Sequence, residues 1–106
     1  MRTNDKYMNE LSGKQRRFLR ALGNEMKPKV FVGKSGLCET LFQSLNDSFN
    51  NDELVKIRIE KSCNIERTEV AKLLADAAIA HLVQILGNTI LLYRPNSEKP
   101  LIDLPL

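Results

Sequence analysis

The dipeptide Gly87-Asn88 stands between "HLVQIL" and "TILLYR", and no other stretch restricts the fold of this chain as tightly. Two apolar segments joined by two such residues close a β-hairpin, because glycine and asparagine reach the backbone angles that a tight turn between right-twisted strands requires. The loop sets the register. Leu86 falls opposite Thr89, Ile85 opposite Ile90, Gln84 opposite Leu91, Val83 opposite Leu92 and Leu82 opposite Tyr93. One face of the hairpin is then Val83, Ile85, Ile90 and Leu92, and the other carries Gln84, Thr89 and Tyr93 with two leucines.

Upstream, helical and extended patterns alternate. Ser12 is placed to cap a helix from Gly13, with Leu11, Gln15, Phe18, Leu19, Leu22 and Met26 on one face, ending by about Met26 because Pro28 forbids continuation. "KVFV" reads as a short strand. After Gly36, the stripe Leu37, Leu41, Phe42, Leu45 and Phe49 predicts a second helix, closed by "NND" at 50 to 52. "LVKIRIE" alternates strictly, with Val55, Ile57 and Ile59 on one side and Lys56, Arg58 and Glu60 on the other, the pattern of a strand covered on one face. Glu66 to Ile79 predicts a third helix, with Val70, Leu73, Leu74, Ala77 and Ala78 on its buried side. The order α-β-α-β-α-β-β predicts an α/β (α+β) fold: a four-stranded mixed sheet with helices chiefly on one face. Strand order does not follow from the sequence. Residues 1–10 read as an extension, 11–95 as the domain, and "PNSEKPLIDLPL", with three prolines and no period, as an extended tail over 96–106.

A length of 106 residues with 42% hydrophobic content is enough for one core and too little for two. No apolar run is long enough to span a bilayer and the N-terminus lacks a secretory pattern, so a cytoplasmic protein with no membrane partner is expected. Cys38 and Cys63 form no CxxC pair and His81 is the single histidine, which points to neither zinc nor a disulfide framework. The acidic residues are dispersed, and no nucleophile, base or metal set indicates an enzyme or a cofactor. Charge is segregated instead. Residues 1 to 36 hold nine basic side chains against three acidic ones, and residues 37 to 106 hold seven against ten. A basic third on an otherwise acidic chain fits a polyanion partner, or a solvated surface that binds nothing.

"VFVGKSGL" lies inside that basic third. Gly-Lys-Ser resembles part of a P-loop, but the glycine required five positions before Gly33 is Pro28, which argues against a nucleotide hydrolase. GxxG between strand and helix has a different use: glycines let the backbone approach a phosphate while Lys34 adds a point charge. The same turn also occurs as plain connection, and the four residues alone do not decide between the two.

Three blocks in order carry a resemblance: "LSGKQRRFLRALGNEMKPKVFVGKSGL", "NDELVKIRI" and "VQILGNTILLYRP". Over about residues 11 to 95 they resemble the CRM domain (chloroplast RNA splicing and ribosome maturation), in its stand-alone bacterial YhbY-type form. The resemblance implies a fold similar to the C-terminal domain of a bacterial translation initiation factor, and an RNA-binding module associated with ribosomal RNA in pre-large-subunit particles. Carried over by position, Gly33, Lys34, Ser35 and Gly36 form the loop, Lys14, Arg16, Arg17 and Arg20 the basic helix, and Tyr93, Arg94 and Pro95 the C-terminal match. Phe31 departs from the polar residue frequent in the family. Lys27 and Lys29 flank the turn in sequence. Lys56 and Arg58 are expected on an uncovered sheet face together with Tyr93, which would there offer a stacking surface for an unpaired base. A monomer is expected. A basic adaptor docking on a ribosomal protein or translation factor is the alternative reading of the same charges.

Overall fold

The computed structural model describes residues 10–96, 98 and 100–106. Residues 1–9, most of the expected N-terminal extension and the site of Arg2, Asp5 and Lys6, lie outside the described residues, as do Ser97 and Lys99 of the expected tail. The elements are α1 (Gly13–Asn24), β1 (Val30–Val32), α2 (Glu39–Asn51), β2 (Leu54–Ile59), α3 (Arg67–Ala78), β3 (His81–Leu86) and β4 (Thr89–Tyr93). Among the described residues the fold is α+β, with three helices on a four-stranded mixed sheet of order β1-β2-β4-β3. β1 and β2 run parallel, and β4 inserts antiparallel between β2 and β3.

The helix ends follow local chemistry. Ser12 and Gln15 form a reciprocal capping box: Ser12 Oγ accepts from the Gln15 amide at 3.1 Å, and Gln15 Oε1 accepts from the Ser12 amide at 3.0 Å. Glu66 caps α3 by accepting from the amides of Thr68 and Glu69. Ile79 ends α3 in the left-handed region at φ 53°, where its amide bonds back to Ala75 and Asp76. α2 begins only at Glu39, with Leu37 and Cys38 between it and Gly36, so the amphipathic pattern starts earlier than the helix itself.

The sheet divides the apolar residues into two clusters. On one face Val30, Val32, Val55, Ile57, Ile59, Ile90 and Leu92 pack against Leu41, Leu45 and Phe49 of α2 and Val70, Ala71 and Leu74 of α3. On the other, Leu54, Val83, Leu91 and Tyr93 pack against Leu19 of α1, with Leu11, Met26, Ile102 and Leu104 around them. Two of the three helices therefore share a face. α1 covers much of the face that the alternation in β2 leaves to solvent.

Three expectations need correction. The hairpin register holds from Leu86–Thr89 to Gln84–Leu91, then a bulge shifts it so that Leu82 pairs with Leu92 and His81 with Tyr93. One extra residue moves everything beyond it to the opposite face, so Val83 packs with the α1 cluster and Leu82 with the other. In α3 the buried stripe is Val70, Ala71, Leu74, Ala75 and Ala78, leaving Leu73 and Ala77 exposed. The small alanines, and not the larger leucine, let α3 approach the sheet. The third correction concerns Tyr93, which is 3% exposed.

The C-terminal segment forms neither helix nor strand among its described residues, yet it is held in place. Glu53, 2% exposed, accepts hydrogen bonds from the amides of Asn96, Leu101 and Ile102. Its carboxylate thereby gains the partners that a buried charge requires.

Candidate nucleic-acid interface

One end of the sheet gathers three connections. β1 and β2 are parallel, so the segments that leave their C-terminal ends, 33–38 and 60–66, emerge side by side. The Gly87-Asn88 turn joins them there, since the Ile59 amide donates to the Asn88 carbonyl at 2.7 Å. Arg67 ties the start of α3 to the same turn by donating to the Gly87 carbonyl at 2.7 Å.

The Gly33–Gly36 segment is a closed turn, with the Gly36 amide 2.9 Å from the Gly33 carbonyl. Gly36 has φ +65°, and a β-carbon there would lie 3.3 Å from Ile65, so this position suits glycine on two grounds. Gly33 is less constrained: a β-carbon would meet only Ser62 Oγ, at 3.6 Å. Lys34 and Ser35 project into solvent from the tip, and Lys34 has no hydrogen bond or ion pair among the described residues. The turn forms one wall of an open groove of about 420 Å³, shared with Lys29, Phe31 and the start of α2.

α1 presents its cations in two directions. Gln15 donates to the Pro105 carbonyl at 3.0 Å, and Leu22 and Met26 line a cavity with Leu101 and Ile102, which fixes the flank facing the C-terminal segment. By helical geometry Arg16 and Arg20, one turn apart, occupy the other flank. Arg16 is committed, donating to the Leu82 carbonyl at 2.6 Å. Lys14 and Arg17 are exposed, Arg20 is half-buried, and none of the three has a polar partner among the described residues.

The remaining expected site residues divide. Lys27 is exposed near the end of α1, while Lys29 pairs with Asp52 at 2.7 Å. Arg58 is exposed on the α1 side of the sheet, its nearest acid Glu60 at 4.0 Å. Lys56 is not a surface cation: its ammonium donates to the carbonyls of Gly23 and Met26 at 3.1 and 3.2 Å, below the end of α1. Tyr93 is buried against His81, their ring centroids 6.0 Å apart, so it offers no stacking surface. Burial, and then the Glu53 carboxylate, push its phenol up to about 12, while burial and then Arg16 lower the His81 value. Arg94 lies at the opposite end of the sheet from the turn. It donates to the Ala78 carbonyl at 2.9 Å and stacks over Phe49 at 4.8 Å, joining the ends of α2 and α3. Lys61 and Ser62 join the loop cluster as well; their place beside the turn depends on β1 pairing with β2, which no spacing in the sequence specifies.

The chain and its fold are similar to known proteins. The sequence pattern of the CRS1/YhbY (CRM) domain matches residues 11–94, and the chain belongs to that family. It is similar to the "Probable RNA-binding protein YqeI" of Bacillus subtilis, 35% identical over 95 residues covering 90% of this chain and 99% of that protein. An "RNA-binding protein" of Haemophilus influenzae is 32% identical over 98 residues, covering 92% and 98%. The solution structure of the Staphylococcus aureus protein SAV1595 superposes with a TM-score of 0.76 at 34% identity, over 91% of this chain and all of that one.

Proposed function

We propose that this chain is a monomeric, cytoplasmic RNA-binding protein without catalytic activity that grips ribosomal RNA and assists maturation of the large ribosomal subunit. The observation that carries the reading is the Gly33–Gly36 turn: a closed, glycine-bounded loop with an unengaged Lys34 at its tip, opening onto a groove. Its backbone and Lys34 hold one or two phosphates, and Arg17 and Arg20 extend the track, with Lys14 and Lys27 adding longer-range charge. Such contacts orient the RNA without reading its sequence. Relatives named as RNA-binding proteins support the ligand class. The large-subunit assignment rests on the resemblance to the YhbY-type form.

The test is crosslinking in cells followed by sequencing of the bound RNA, beside purification with and without nuclease. Reads concentrated in large-subunit ribosomal RNA, and nuclease-sensitive association with precursor particles, are expected. Association that survives nuclease with no crosslinked RNA would replace this reading with the protein-adaptor one.

A further inference from the structure

The groove at the Gly33–Gly36 turn continues along β1, the edge strand of the sheet, and its wall includes Phe31. The alternation in β1 buries Val30 and Val32 on the α2 side and leaves Phe31 on the other, 52% exposed. α1 lies mainly over β2, β4 and β3, so this ring remains in solvent. Across the sheet Phe31 is in register with Arg58, Arg58 with Thr89, and Thr89 with Leu86, which is 60% exposed. A large aromatic ring on an edge strand, beside an exposed guanidinium, is a liability for a protein unless something covers it.

We propose that an unpaired base of single-stranded RNA stacks on Phe31, with the Arg58 guanidinium beside it, while the adjoining phosphate lies on the Gly33–Gly36 turn. The inference rests on the RNA-binding reading above and deepens it. Two residue steps of extended chain take Phe31 to Gly33, about 7 Å, comparable to the reach from a phosphate to its base. The occupant is argued from charge and continuity. Lys34 and Arg58 border the ring, and the groove is one with the proposed phosphate clamp. Aromatic rings and guanidinium planes both stack on bases. Within a duplex each base is stacked on both sides and only the terminal pairs show a free face, so the platform favours unpaired RNA and leaves backbone binding to the turn and α1.

The test compares wild type, Phe31→Thr and Phe31→Tyr on two probes: a single-stranded oligoribonucleotide carrying 2-aminopurine, and a blunt RNA duplex of equal length. Threonine keeps strand propensity without a ring, and Phe31→Leu repeats the test with an apolar side chain if threonine disturbs the edge. The expected result is an about fivefold to hundredfold loss of single-strand affinity in Phe31→Thr, with the duplex unaffected. The salt dependence should be unchanged, and Phe31→Tyr should bind as wild type. Equal loss on both probes, or no loss on either, overturns the inference while RNA binding stands. A wild-type protein that holds neither probe sinks the underlying reading too. Concentration-dependent dimerisation abolished by Phe31→Thr would assign the ring to a second copy of the chain and overturn the base platform.

Discussion

The ammonium of Lys56 lies 3.1 Å from the carbonyl of Gly23, joining the middle of β2 to the last turn of α1. With the Met26 carbonyl at 3.2 Å it donates to two carbonyls at the helix end, of which that of Gly23 also accepts from the Met26 amide, and it adds a cation where the helix dipole is negative. Lys56→Met keeps the stem and removes the donor. Chemical denaturation should show a loss of about 1–3 kcal/mol, while RNA affinity of the folded protein stays within twofold. A binding defect without a stability defect would return Lys56 to the interface.

The phosphate track has a salt signature. Lys34→Ala combined with Arg17→Ala removes two exposed cations that belong to neither cluster, so the thermal midpoint should not move. Affinity for structured ribosomal RNA should fall. The slope of log affinity against log salt should become shallower by about 1.4–1.8, at 0.7–0.9 per contact. Affinity equal to wild type in the folded double variant refutes the track.

The two glycines of the turn separate folding from binding. Gly33 has room for a β-carbon, so Gly33→Ala should fold normally, and Gly33→Asp should fold and lose RNA by setting a negative charge where phosphate approaches. Gly36→Ala should instead cost about 1–2 kcal/mol, from the left-handed backbone and the approach of Ile65. Normal binding by Gly33→Asp would make the turn a plain connection.

His81 is expected to give stability a pH dependence. Its folded value is lowered from 6.5, so on acidification the unfolded chain takes up this proton first. The contribution is constant above about pH 7, and stability declines as pH falls through 6.5 toward the lower folded value. The ring is partly in solvent, so screening keeps the effect small. His81→Phe should flatten this part of the profile in urea titrations at pH 7.5 and 5.5, and identical slopes would discount the histidine.

Local chemistry made most elements readable in advance. Ser12 with Gln15, the stripe Leu41-Leu45-Phe49 and Gly87-Asn88 each act over a few residues, and their spacing carries the information. What stayed hidden depends on partners distant in the chain. The bulge at Val83 answers to packing around Leu19, and Lys56 alternates like a surface residue because its stem is buried while its charge serves α1. The alternation alone leaves Tyr93 on an open face, because the landing place of α1 is not written in the pattern of any one strand. The glycine turn was legible as a motif, whereas its groove and the exposed ring of Phe31 emerged only once β1 took the sheet edge.

Gln15 and Pro105 meet at 3.0 Å, and Leu11 shares a cluster with Ile102 and Leu104, so the first and last described segments touch. A fold whose ends meet is in effect a closed loop of chain. A short linker from Leu106 back to residue 11 should let it be circularly permuted, or inserted as a cassette into a surface loop of an unrelated carrier, with the Gly33–Gly36 turn still presented outward.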